Sequence, residues 1–259
     1  MAAHAPAIRA VVFDIGETLV DKSREYAGWA RAVGTTPHTL SSVFGATVAA
    51  GGGAAEVLRS FGEDGLARHA ELVAAGVIPP PAEQDLLPGA REVLAGLRAA
   101  GLRVGVAGNQ PPGYGALLRA LDLPADVVAT SQEWGVRKPA PEFFRRAVTE
   151  LLGPDADPAT VVYVGDQVDD DVVGATGAGL RAVRVRTGPW GRLVHDPATE
   201  AAALAVVDRL TDVPAVLASA GVDLTVDDAS GRRTQATDSL ITVTNGPEPG
   251  RFLSDTDLG

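Results

Sequence analysis

The chain is 259 residues long, 46% hydrophobic and 21% charged, with a formal net charge of −11 and no cysteine. That length suffices for one large domain or a domain carrying an insertion, and the composition is that of a globular protein. The acidic balance, which no basic cluster reverses locally, argues against partners such as nucleic acid or an anionic membrane surface; the missing cysteines exclude disulfides, thiolate catalysis and Cys-ligated metals. Residues 1–9 lack the pattern of a secretory signal, and charge interrupts every apolar run before it reaches spanning length, so a soluble cytoplasmic protein with no membrane helix is expected. Nothing in the sequence sets an oligomeric state. The 22 basic residues are 20 arginines and two lysines, Lys22 and Lys138. Where an Arg-rich chain uses lysine, a compact point charge is the physical difference.

The run Ala10-Val11-Val12-Phe13 ending on Asp14 reads as a central parallel strand buried on both faces. Open α/β sheets place ligands at the carboxyl ends of such strands, where Asp14 falls. From residue 21 to 85 the pattern turns helix-like, with helices predicted over Ser23 to Val33, Ala54 to Phe61 and Gly65 to Ala75. Gly51-Gly52-Gly53 and Pro79-Pro80-Pro81 punctuate this stretch. It reads as an insertion over the end of the first strand, with His38 and His69 as surface or packing residues. From Leu87 strands and helices alternate regularly: helix Ala90 to Ala100, strand Leu102 to Ala107, helix Gly115 to Leu121, strand Val127 to Thr130, helix Pro141 to Leu152, strand Val161 to Val164, helix Asp171 to Ala178, strand Ala182 to Val185. This alternation predicts parallel βαβ units. Ala198 to Ser219 adds an edge strand or helix. Beyond Gly221 the pattern dissolves into a tail expected to be flexible, with Ser239 to Thr244 as a candidate edge strand. Trp29, Trp134 and Trp190 read as packing anchors, Trp29 being the one placed to face a substrate.

Three further segments carry chemistry: Gly108-Asn109 after a strand, Lys138-Pro139 before a helix, and Gly165-Asp166 followed by Asp169-Asp170-Asp171. With Asp14-Ile15-Gly16-Glu17-Thr18 they form four motifs in order, and together they resemble the haloacid dehalogenase superfamily of hydrolases over roughly residues 8 to 187. The resemblance implies an α/β fold, a Rossmann-like parallel sheet flanked by helices, with a small helical cap inserted after the first strand. The core would be residues 1–20 and 86–219, the cap 21–85, and the acidic tail 220–259. It also implies a Mg²⁺-dependent phosphohydrolase acting on a small phosphorylated substrate, with Asp14 as the nucleophile that forms an aspartyl-phosphate. Asp14, the Gly16 carbonyl, Asp166 and Asp171 (or Asp170) would hold the Mg²⁺. Lys138 would bind the phosphoryl oxygens, with Gly108 and Asn109 offering backbone N–H groups.

Two departures matter. Gly16 stands where the family places a second Asp, the general acid, whose loss typically costs about 10²- to 10⁴-fold. Glu17 is adjacent, but the family pattern gives it no such role. Gly108 stands where the family has a hydroxyl for the phosphate. The sequence therefore favours a phosphohydrolase slow on simple alkyl esters and better with good leaving groups such as acyl or anomeric phosphates. Two alternatives stand beside it: a catalytically weak binding or regulatory protein on the same fold, and a phosphonatase or dehalogenase type of hydrolase, for which Lys22 is the available Schiff-base lysine. A dinucleotide site built on Gly105, Gly108, Gly113 and Gly115 fails on spacing and on Pro111-Pro112.

Overall fold

The structure, a computed structural model, describes residues 6–64, 66–227 and 233–235. Strand β1 (Ala10–Phe13) is followed by four helices, α1 (Ser23–Ala32), α2 (Pro37–Ala49), α3 (Ala54–Ser60) and α4 (His69–Ala74). Then come α5 (Ala90–Ala99), β2 (Arg103–Gly108), α6 (Tyr114–Arg119), β3 (Val127–Thr130), α7 (Ser131–Trp134), α8 (Pro141–Leu152) and β4 (Val161–Gly165). A wide π-helical turn (Val168–Val173) leads into α9 (Gly174–Gly177), β5 (Arg181–Val185), α10 (Gly188–Leu193), α11 (Pro197–Ala202), β6 (Ala205–Val207) and α12 (Val213–Ser219). A small antiparallel pair, β7 (Thr225–Asp227) and β8 (Arg233–Gln235), follows.

β1 to β6 form one six-stranded sheet in the order β3-β2-β1-β4-β5-β6, parallel throughout. The two central strands are apolar on both faces because each face has its own helical layer. Val11 and Phe13 of β1, with Val162 and Val164 of β4, enter one core with α5 and α12. Ala10 and Val12, with Val161 and Tyr163, enter the other with α8 and α9. Full burial of each larger side chain is worth about 1.5–3 kcal/mol, which fixes the register of β1 and β4 and so the place of whatever follows them. No helix among the described residues is long and apolar enough to cross a membrane.

The helices between β1 and β2 pack around a third cluster of Trp29, Leu40, Phe44, Val57, Leu58 and Ile78, separate from the two sheet cores. Within it α2 is a helix the sequence reading passed over, although Thr36 caps it, accepting from the Thr39 N–H at 3.1 Å, and Pro37 occupies its first turn. α4 begins at His69 rather than Gly65, and of the two readings of His69, surface or packing, the structure shows it buried. The helix expected from Asp171 starts instead as the π-helical turn, which changes the facing of the three consecutive aspartates. The edge segment resolves into α11, β6 and α12, with β6 joining the sheet. Leu224 packs into the sheet core, so the packed chain runs past residue 220, where the tail was expected to begin. The candidate strand Ser239 to Thr244 lies outside the described residues.

Candidate active site

β1 and β4 are neighbours, so the residues that follow them emerge side by side at the carboxyl edge of the sheet. Asp14 follows Phe13, its N–H donating to the Val164 carbonyl at 2.8 Å. Asp166 follows Gly165. The π-helical turn swings Asp171 inward, where Oδ2 accepts from the Gln167 N–H at 2.8 Å, while Asp169 points to solvent. Asp14, Asp166 and Asp171 are all buried, and one oxygen from each lies within 4.8 Å of the others. Lys138, wholly buried ahead of α8, donates from Nζ to Asp14 Oδ1 at 2.6 Å and to Asp171 Oδ1 at 2.5 Å.

Two glycines make room for these carboxylates. A Cβ on Gly165 would run into the Asp171 carboxylate, and a Cβ on Gly108 into that of Asp14. Gly108 is thus more than a lost hydroxyl, because its bare backbone is the surface on which Asp14 rests. The Asn109 side chain is committed to bracing: Oδ1 accepts from the Lys138 N–H at 2.9 Å, and Nδ2 donates to the Lys138 carbonyl at 3.1 Å and to Asp170 Oδ2 at 3.0 Å. Of the two candidates on the turn, Asp171 therefore joins the carboxylate group and Asp170 pairs with Asn109.

The electrostatics are lopsided. Three buried carboxylates face one ammonium. Burial pushes the Asp14 carboxyl up to about 6, against the pull of Lys138, and pushes Asp166 well above the usual carboxylate range. Burial alone would favour a neutral Lys138 amine, but Asp14 and Asp171 hold it firmly protonated. Both Asp166 side-chain oxygens lack a hydrogen-bond partner among the described residues, and the residue is wholly buried. A buried carboxylate left so costs several kcal/mol on the order of the desolvation penalty, unless a cation occupies the space before it. Hard oxygen donors at this separation suit Mg²⁺, so the residues present fit that ion.

Behind the carboxylates lies Arg184 on β5, wholly buried. Its Nε donates to the Asp166 carbonyl at 3.3 Å, and its guanidinium pairs with Glu200 and reaches the carbonyls of Trp190, Gly191 and Val194. In front lies the turn after β1. Glu17 adopts a left-handed conformation (φ 58°); its carbonyl accepts from Thr187 Oγ1 and its Oε1 accepts from the Lys22 N–H at 3.2 Å. Burial raises its carboxyl to about 7. The helical insertion meets the core at two places. Phe44 of α2 packs edge-on against Trp190 of α10, ring centroids 5.0 Å apart. Lys22, Glu25 and His69 meet Tyr114 of α6. Between insertion and core runs a cleft of about 1060 Å³, lined among others by Gly52, Glu56, Asn109, Arg137, Asp170 and Trp190. The sequence reading singled out neither Tyr114 nor Glu25 nor Arg184, because each gains its partners only through long-range folding.

The model of the haloacid dehalogenase-like hydrolases matches residues 8–179. Over 202 residues the chain is 29% identical to the glyceraldehyde 3-phosphate phosphatase of Pyrococcus abyssi, covering 70% of this chain and 82% of that one. A shorter stretch of 76 residues is 40% identical to the phospholysine phosphohistidine inorganic pyrophosphate phosphatase of Xenopus laevis; it covers 29% of this chain and only 26% of that protein. Among solved structures, the HAD-hydrolase YfnB of Bacillus subtilis bound to magnesium shares the fold, with a TM-score of 0.62 at 16% identity over 82% of this chain and 99% of that one. By fold, site and sequence, the chain belongs to the haloacid dehalogenase-like hydrolases.

Proposed function

We infer that the protein is a Mg²⁺-dependent phosphohydrolase that transfers phosphate from a small phosphorylated metabolite to Asp14 and then to water. The observation that carries this reading is the wholly buried, unpartnered Asp166 carboxylate beside Asp14, Asp171 and Lys138. Asp14, Asp166, Asp171 and the Gly16 carbonyl would hold the Mg²⁺, which supplies charge neutralisation when a carboxylate meets a phosphate dianion.

An Asp14 oxygen forms the new bond to phosphorus while the bond from phosphorus to the leaving oxygen breaks and its electron pair departs with that oxygen. Water then attacks the aspartyl-phosphate and releases inorganic phosphate. Lys138 holds Asp14 in line and carries positive charge to the transferring phosphoryl oxygens, a role that gains strength in a site closed to water. Asn109 fixes the backbone of Lys138 through both its N–H and its carbonyl. The helical insertion acts as the cap over the cleft. The similarity to a glyceraldehyde 3-phosphate phosphatase supports a small phosphorylated substrate. Gly16 supplies no proton to the leaving oxygen, so leaving groups stable as anions, such as acyl phosphates, are turned over best.

Incubation with acetyl phosphate and p-nitrophenyl phosphate, with and without Mg²⁺, beside Asp14→Asn tests this reading. Metal-dependent turnover, preference for acetyl phosphate and loss of both in the variant are expected. Mg²⁺ binding without any phosphoaspartate would favour the binding or regulatory reading. The phosphonatase reading is disfavoured: a Schiff base needs a neutral amine, and Glu25 beside Lys22 keeps that amine charged despite its burial.

A further inference from the structure

Gly16 itself offers the departing oxygen no side chain, yet the space beside it is not empty. A Cβ on residue 16 would lie 3.4, 3.5 and 3.7 Å from Cδ, Cγ and Cε of Lys22, ordinary van der Waals distances. The Lys22 stem thus runs across the glycine. Its ammonium, one bond beyond Cε, sits in the neighbourhood that a carboxyl on residue 16 would reach. Lys22 is buried, pairs with Glu25, donates to Tyr114 Oη at 3.0 Å and lies 4.3 Å from the centre of the Tyr114 ring. An ammonium has three N–H bonds, and among the described residues these two partners leave one unused.

The surroundings are polar and incompletely satisfied. His69 is 2% exposed, its Nε2 lies 3.6 Å from Glu25 Oε1, and neither ring nitrogen has a hydrogen-bond partner among the described residues. Trp29 packs beside it and its buried Nε1–H is likewise unpartnered. Unmade hydrogen bonds in a buried place are costly, and native structures keep them where an occupant or a function uses them. Lys22, Glu25, Trp29 and His69 come from the insertion and Tyr114 from the core, so the cluster straddles the seam between the two.

We propose that Lys22, with Tyr114 beside it, is the catalytic leaving-group donor of this site, giving hydrogen bonds to the departing oxygen in place of the proton that residue 16 cannot supply. The inference rests on the phosphohydrolase reading above and names its substrate class: phosphate carried on a leaving group that can depart as an anion. The Asp14 oxygen bonds to phosphorus, the bond to the leaving oxygen breaks, and that oxygen keeps the electron pair. The ammonium stabilises it by a charge-assisted hydrogen bond and retains its proton; water protonates the product after release. Glu25 balances the lysine charge between turnovers.

The test is leaving-group dependence across acetyl phosphate and a series of aryl phosphates from nitrophenyl to phenyl, in the presence of Mg²⁺. Lys22→Met keeps the stem against Gly16, and pairing it with Glu25→Gln avoids a stranded carboxylate. The double variant should lose on the order of 100-fold in kcat/KM on phenyl phosphate, with the loss shrinking steadily as the leaving group improves, so that the slope against leaving-group pKa steepens. Tyr114→Phe, which removes one oxygen only, should steepen it less and serves if the double variant does not fold. An equal loss on every substrate, or an unchanged slope, overturns the proposal and makes the cluster a structural seam. Absence of phosphoaspartate on Asp14 in the wild-type protein treated with acetyl phosphate overturns the phosphohydrolase reading itself, and this inference with it.

Discussion

The chain has two lysines and buries both, each between carboxylate and tyrosine, yet the two settings differ in charge. Lys138 lies between Asp14 and Asp171, with Asp166 close by and the Tyr163 ring centre 5.3 Å away. The Lys22 ammonium pairs with one carboxylate, Glu25, and with the Tyr114 hydroxyl, while Glu17 accepts from the Lys22 backbone N–H. The first setting is short of positive charge and calls for a second cation. The second is balanced and calls only for hydrogen-bond acceptors. A lysine in a pocket is therefore not one feature but two, told apart by counting the carboxylates around it.

The largest expected effect falls on the first setting. Asp14→Asn should lower turnover by about 10⁴-fold or more and abolish the phosphoenzyme seen by mass spectrometry. Lys138→Met strands two buried carboxylates and should destabilise the metal-free fold by about 3–5 kcal/mol, read by urea denaturation; a loss no greater than that of Lys22→Met would break the comparison.

The next effect is linkage. Burial raises Asp14 to about 6 and raises Asp166 well above the usual carboxylate range, so each binds its proton more tightly folded than unfolded. Stability from these groups is present at low pH and is lost as pH rises from the ordinary carboxylate range through about 6. Mg²⁺ must displace those protons, so it should bind more tightly at pH 8 than at pH 5.5 and raise Tm more there, with proton release in calorimetry. The Lys22 setting should show no such metal response. Smaller still is Gly16→Asp, whose Cβ fits beside the Lys22 stem. Alone it should gain little on phenyl phosphate, because the neighbouring ammonium favours the ionised carboxyl; combined with Lys22→Met it should gain about tenfold or more. Trp190→Ala, which removes one edge-on contact with Phe44, should cost about 0.5–1.5 kcal/mol beyond the area it exposes.

The sheet and its aspartates were legible because β1 and β4 are apolar on both faces and each ends on a carboxylate. Nothing local separates Asp170 from Asp171. A regular helix and a π-helical turn face consecutive residues differently, and the partners that take up Asp170 and Asp171, Asn109 and Lys138, come from distant parts of the chain. Gly108 read as a lost hydroxyl because sequence shows what a residue lacks and not what lies against it. The Lys22 cluster was out of reach for another reason: Tyr114 stands 92 positions from its partner, and only the seam between insertion and core brings them together.

Arg184 joins regions that look independent. Its guanidinium grips the Asp166 backbone on one side and the carbonyls at the end of α10 on the other, while the far side of α10 offers Trp190 to the insertion. Thr187, one residue before α10, holds the Glu17 carbonyl in the turn after β1. One side chain thus ties the strand end that presents Asp166 to the helix that meets the insertion. Arg184→Met should therefore disorder both places at once, which hydrogen exchange at Asp166 and along α10 would read.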